Sequence, residues 1–247
     1  MAGSFPTLSA GGSVFYPLTM RVSTLTRVHE SPSGARQRHV VRPAMVEFAL
    51  TLPRLTAADV ALVDAFFDSQ KGAFDATWTL TFNSRTFTGM RFAADEIRWT
   101  EEIPGRYSTT LNATGWYVLP APVTTLPTLP SGAVTRLGWS KARKFETSFT
   151  DMESGARHAL AIRGGGFATL PATPARAWRL EFRAVSEAKA FEVADRFVTA
   201  GGRYSGFTFT DPDSLIAYAD THFANDVLEV NFRGYGNAAV SVELEKV

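Results

Sequence analysis

The chain has 247 residues, 45% of them apolar and 20% charged, with a net charge of +1. These totals describe a globular protein with no strong electrostatic pull toward nucleic acid or a membrane surface. It has no cysteine, which excludes disulfides, thiolate metal sites and cysteine nucleophiles.

Residues 1–16 lack a basic stretch followed by an apolar run, so no signal peptide is read there, and no apolar run reaches the length of a membrane span. Residues 5–17, rich in Gly, Ser and Pro, read as an extended arm. Residues 20–28 alternate Val22, Thr24, Thr26 and Val28 and predict a strand. Ser31-Pro32-Ser33-Gly34 is turn chemistry. Val46, Phe48, Leu50 and Leu52 alternate along a second strand that Pro53 stops. Thr56 with Asp59 three residues on marks a helix start. Val60, Val63 and Phe67, flanked by Leu62 and Phe66, form its apolar stripe, and Gly72 ends it. Strands follow at 74–82 and 85–92 around a turn at Asn83-Ser84. A hairpin at 96–102 and 106–112 closes on Pro104-Gly105.

The same order returns. Residues 178–185 read as a strand, with Ser186 as helix cap. Ala190, Val193, Ala194 and Phe197 form the stripe, and Gly201-Gly202 the stop. Strands follow at 207–210, 227–232 and 238–244, with a turn at Gly234-Tyr235-Gly236. Short identities support a duplication. Ser33-Gly34-Ala35-Arg36 recurs as Ser154-Gly155-Ala156-Arg157, and Phe5-Pro6-Thr7-Leu8 as Leu126-Pro127-Thr128-Leu129, both 121 positions on. Val46-Glu47-Phe48 matches Leu180-Glu181-Phe182 at 134. Residues 56–74 match 186–204 at 130, and Arg91-Phe92-Ala93 matches His222-Phe223-Ala224 at 131. The slips are read as loop insertions at 164–174 and 52–55. The expected organisation is repeat one at 1–118, a Pro-rich linker at 119–125 and repeat two at 126–247, each long enough to bury its own core. With no β-α-β alternation, a doubly wound parallel sheet is not expected; each unit is mainly β with one flanking helix.

Signals for chemistry are sparse. His29, His39, His158 and His222 have no ligand spacing, and no metal or cofactor is expected. Gly164-Gly165-Gly166 lacks the ending of a phosphate loop. Asp95-Glu96 and Asp211-Pro212-Asp213 offer paired carboxylates for a hydrolase, against their reading as turns. Trp78, Trp99, Trp116, Trp139 and Trp178 suit a glycan platform or, more simply, core and interface. Arg36, Arg38 and Arg42, with Arg157 and Arg163, read as a basic loop in each repeat. They are either solvated or an inter-subunit interface paired with carboxylates.

The run 27–38 with its Ser-Gly-Ala-Arg-Gln-Arg core, the alternating strand, the helix ending in Phe66-Phe67 to Gly72, and the aromatic strand from Phe74 resemble the small minor tail proteins at the tail tip of lambda-like phages. The aromatic run 207–213 into Asp-Pro and the terminal strand 239–247 are similar to distal tail proteins of siphophages and gene transfer agents. The resemblance implies two tandem tail-tube-like β-sandwich domains, each with one flanking α-helix. It further implies a structural, non-enzymatic virion protein, made in the host cytoplasm. Its place would be a homo-oligomeric ring of three-fold or six-fold symmetry, with the tail tube, hub and tape-measure proteins as partners. A carbohydrate- or receptor-binding module of the tail is the alternative.

Overall fold

The computed structural model describes residues 3–9, 15–30, 36–73, 77–83, 85–127, 134–137, 159–162, 166–169, 176–211 and 215–246. The chain is mainly β, as expected. The first half builds β1 (Gly3–Ser4), β2 (Leu18–Glu30), β3 (Arg36–Leu55), α1 (Ala57–Ser69), β4 (Trp78–Phe82), β5 (Arg85–Phe92), β6 (Thr100–Ile103) and β7 (Arg106–Trp116). The second builds β8 (Val134–Leu137), β9 (Ala159–Ile162), β10 (Gly166–Thr169), β11 (Arg176–Val185), α2 (Glu187–Ala200), β12 (Phe207–Thr210), β13 (Ala217–Phe223), β14 (Val227–Gly234) and β15 (Asn237–Lys246). The strand β13 was not anticipated, because Ala217-Tyr218-Ala219-Asp220 does not alternate.

Both helices start where their caps place them. The Thr56 hydroxyl accepts the Asp59 amide, and the Asp59 carboxylate accepts the Thr56 amide, a reciprocal box that satisfies two otherwise unpaired donors. Ser186 caps α2, and Gly201 ends it at φ +66°, where glycine avoids the Cβ penalty. Val46, Phe48, Leu50 and Leu52 of β3 are buried on one face, as their alternation requires.

One mixed sheet carries all the described strands except the β9–β10 hairpin. In the first half its order is β4-β5-β7-β3-β2, with β6 also beside β7. In the second it is β12-β13-β15-β11-β8, with β14 also beside β15. These are the same order. Antiparallel pairing of β2 with β14 joins them, from Leu18 opposite Phe232 to Ser23 opposite Val227.

Register agrees as closely as order. Val46↔Gly115 recurs as Arg176↔Lys246, and the β3 bulge between Leu52 and Leu55 recurs in β11 between Phe182 and Val185. Arg54 and Ala184, 130 apart, are the left-handed residues of those two bulges. Thr100↔Ser108 and Ile103↔Arg106 recur as Asn231↔Ala239 and Gly234↔Asn237, 131 apart. The shift of 134 read from Val46-Glu47-Phe48 is therefore corrected. Leu52, not Phe48, is the counterpart of Phe182, and 52–55 holds no insertion. Side-chain identity over three residues misled; the bulge fixes the frame. The second Ser-Gly-Ala-Arg lies outside the described residues.

The buried apolar residues form one connected cluster through both halves, not two separate cores. The halves interlock at α2. Phe82 meets Phe191 and Phe232 edge to face, and Phe87 lies tilted against Phe191. Residues 119–125 are also docked: the Val123 amide donates to Thr199 and its carbonyl accepts from Arg196.

Candidate assembly interface

The arginines expected in a basic loop are on a strand. Arg36, Arg38 and Arg42 belong to β3, which pairs with β2 as a long hairpin. The loop reading is corrected because the β2–β3 pairing continues to Glu30↔Arg36. Arg38 donates to Glu245 of β15 at 3.3 Å, both side chains 9% exposed, so this contact joins the two halves of one chain. Arg203 approaches the same carboxylate at 3.7 Å. His222 lies beside them. Burial first, then the positive charge of Arg38, hold its imidazole below the ordinary value. Arg42 is exposed and reaches Ser23 at 3.5 Å. The side chain of Arg36 and all of Arg157 and Arg163 lie outside the described residues.

A polar cluster marks the seam. Arg85 donates through both Nη atoms to Asp195, at 3.0 and 2.6 Å, and Tyr117 donates to the same carboxylate at 2.9 Å. The guanidinium lies over the rings of Tyr117 and Phe191, 4.8 and 4.9 Å from their centres. Burial pushes the Tyr117 phenol well above its usual range. Nearby, Tyr16 donates to Glu187, which also accepts the Gly236 amide at 3.2 Å. Desolvation and that carboxylate raise the Tyr16 phenol in the same way.

A second staple closes the β2–β14 ladder. Asp226 accepts from the Thr24 hydroxyl, the Thr26 amide and the Arg203 amide at 3.0–3.2 Å. Gly202 makes room for it: a Cβ there would stand 2.1 Å from the Thr24 hydroxyl. Asp95, 131 residues before Asp226, accepts the Ala73 amide at 2.9 Å, the counterpart of the Arg203 contact. Asp95 is exposed.

Two of the strands with a single described neighbour, β6 and β8, differ in character. β6 is exposed along its whole length, and among the described residues it pairs only with β7. β8 pairs, among the described residues, only with β11. An open ladder edge is a template for another strand. The helices differ too. On α2, Glu187, Phe191 and Asp195 lie on one face and are buried under the first half. Their counterparts on α1, Ala57, Ala61 and Ala65, are exposed. Sequence reasoning missed this contrast; aligning the helices and comparing that one stripe would have found it.

The other sequence candidates are placed as follows. Trp78 and Trp178 are core, Trp99 donates to Asp64 at 2.9 Å, and Trp116 is 52% exposed; Trp139 lies outside the described residues. Asp211 is buried, and its amide donates to the Ile216 carbonyl; Asp213 lies outside the described residues. His29 and His39 sit on adjacent strands with ring centres 6.2 Å apart. No third ligand joins them: among the described residues no cluster of three His, Asp or Glu is placed to hold a metal. Two clefts of about 250 and 320 Å³ occupy related places in the halves, lined by Arg179 and Glu243 in one and by Ala49 and Asn112 in the other. Neither lining includes a histidine. No described helix is long and apolar enough to cross a membrane.

No protein-family model matches the chain, and no curated protein matches it.

Proposed function

We propose that the chain is a structural virion protein of a phage tail tip. Its two tandem tail-tube-like β-sandwich domains, 1–118 and 126–247 joined at 119–125, build a ring between the tail tube and the hub or baseplate. The observation that carries the assembly part of this reading is the sheet itself. It has the same strand order in each half, and among the described residues β6 pairs only with β7 and β8 only with β11, two unlike edges. Unlike edges meet head to tail, and such contacts close into rings when the rotation permits. The phage part rests on the sequence resemblance. The buried side chains are spent on internal cohesion: Arg38, Arg85 and Tyr117 all bind carboxylates of the other half. The partners are further copies of the chain, the tail tube protein, the hub protein and, inside the ring, the tape-measure protein.

Native mass measurement of the purified chain, with antibody labelling of virions, tests this. The expected result is a closed three-fold or six-fold oligomer and label at the tail tip. A monomer at all concentrations, with no label on virions, overturns it. A receptor-binding role is favoured by one feature, Tyr235, 92% exposed at the tip of the β14–β15 hairpin. Glycan binding that is lost on Tyr235→Ala would establish that role.

A further inference from the structure

The chain contains a worked example of a contact that its own ends leave unmade. In the internal junction, β14 and α2 of the second half receive β2, β4 and β5 of the first. Every receiving element has a counterpart in the first half: β6 for β14 and α1 for α2. Every inserting element has one in the second: β8 for β2, and β12–β13 for β4–β5. The register makes β8 the counterpart of the start of β2. Leu18↔Leu50 in one half corresponds to Val134↔Leu180 in the other, since Leu50 and Leu180 are equivalent.

We propose that a second copy of this chain seats its β8 against β6, and its β12–β13 hairpin against the exposed face of α1, in the register of the internal β2–β14 junction. The partner is thus a second copy, held head to tail. This deepens the ring reading and rests on it only for the closure of the assembly. Three independent features fit. The Ala57, Ala61 and Ala65 face of α1 is exposed where its α2 counterpart is covered. Leu215 and Ile216, 79% and 51% exposed, stand immediately before β13. Ile216 is the counterpart of Arg85, and Ala65 of Asp195. The internal ion pair therefore becomes an apolar pair between copies, which needs no desolvated charge. Asp95 keeps the geometry of Asp226 but is exposed, with no described strand beyond it.

The internal pairing fixes the expected one. Phe232↔Leu18, Asn231↔Thr19 and Val230↔Met20 map to Glu101↔Val134, Thr100↔Thr135 and Trp99↔Arg136 between copies. Thr19 and Asn231 hydrogen-bond at 3.0 Å across the internal ladder, and positions 100 and 135 are the equivalent register positions. Directly opposed residues on antiparallel strands bring their Cβ atoms to within about 5.5 Å, close to disulfide reach.

Because the chain has no cysteine, a crosslink can be assigned without ambiguity. The test is mild oxidation of Thr100→Cys/Thr135→Cys in the full-length protein, read on a denaturing gel. The expected result is loss of the monomer band to a ladder of dimer, trimer and higher species, with each single variant remaining monomeric on the gel. A dimer from Thr100→Cys alone would mean that β6 pairs with β6, and would overturn the proposal. The second variant is Ala61→Arg on the exposed helix face, expected to dissociate the native oligomer with an unchanged circular dichroism spectrum. If the double-cysteine protein does not fold, this variant decides. A wild-type oligomer that gives no ladder and ignores Ala61→Arg overturns this contact while leaving the ring standing. A wild-type monomer at all concentrations removes both.

Discussion

Asp59 shows how one side chain ties the N-terminal arm to the fold. It is buried, and it accepts the Ser9 hydroxyl and amide at 2.6 and 2.8 Å and the Thr56 hydroxyl at 2.7 Å. The Ser9 hydrogen bond, ahead of the others, holds its carboxyl well below the usual 3.8. The folded state thus favours the ionised form more than the unfolded state does. That stability is present above pH 3.8 and is lost as pH falls below it toward the folded value. Urea unfolding across this range should show a declining midpoint, and Asp59→Asn should flatten the slope. At the seam, Asp195→Asn leaves Arg85 buried with half its partner. Breaking a buried pair from one side costs about 3–5 kcal/mol, so chemical denaturation should show a loss of that order. Arg85→Met with Asp195→Leu should recover much of it, because no charge then remains buried.

Elements are where the sequence was most and least legible. Caps and stops placed α2 and the start of α1 to within a residue, because a helix end is specified by the few side chains at it; α1 itself ends at Ser69 with Gln70 as its cap, ahead of the Gly72 stop read from the sequence. Alternation placed β2 and the 46–52 part of β3, but Pro53 does not stop β3, which runs on through a bulge to Leu55. It failed for β13, where Asp220 takes φ +60° and breaks the period. It failed also for the first residues of β3, whose arginines look like a loop until the long β2 partner is seen. The register error had one cause. Residues 54 and 184 form bulges at unrelated side chains, so the conserved feature was backbone geometry rather than residue identity. Those bulges make a prediction. Arg54 and Ala184 are non-glycine residues at φ +54° and +51°, both exposed. Replacing either by glycine should stabilise the fold by about 0.5–1 kcal/mol, because an L residue in that region costs about 1–2 kcal/mol. Gly202→Ala should do the reverse. The added Cβ collides with the Thr24 hydroxyl at a left-handed φ of +62°, a cost of about 2–5 kcal/mol. Thermal melts of the three variants check both signs.

For the molecule as a whole, the duplication and the core pull in opposite directions. Two repeats of one topology suggest two modules that fold alone. The packing shows why the second half is not such a module. Its helix α2 has three layers of contact: its own sheet on one side, the β4–β5 strands of the first half on the other, and the 119–125 segment along it. Cut away from residues 1–118, it would expose Phe191 and Phe232, both buried in the intact chain. Burial of each is worth about 1.5–3 kcal/mol. Asp195 would lose Arg85 and Tyr117, and β14 would become an open edge. The first half exposes nothing comparable on its helix, since the Ala57, Ala61 and Ala65 face of α1 is already exposed in the intact chain. Residues 119–247 expressed alone should therefore be insoluble or bind a hydrophobic dye with weak near-ultraviolet circular dichroism, and should recover a cooperative melt when residues 1–118 are added in trans. A soluble, cooperatively melting second half would mean that the seam is a late docking of finished domains, and that an interface between copies need not cover so much apolar surface to hold.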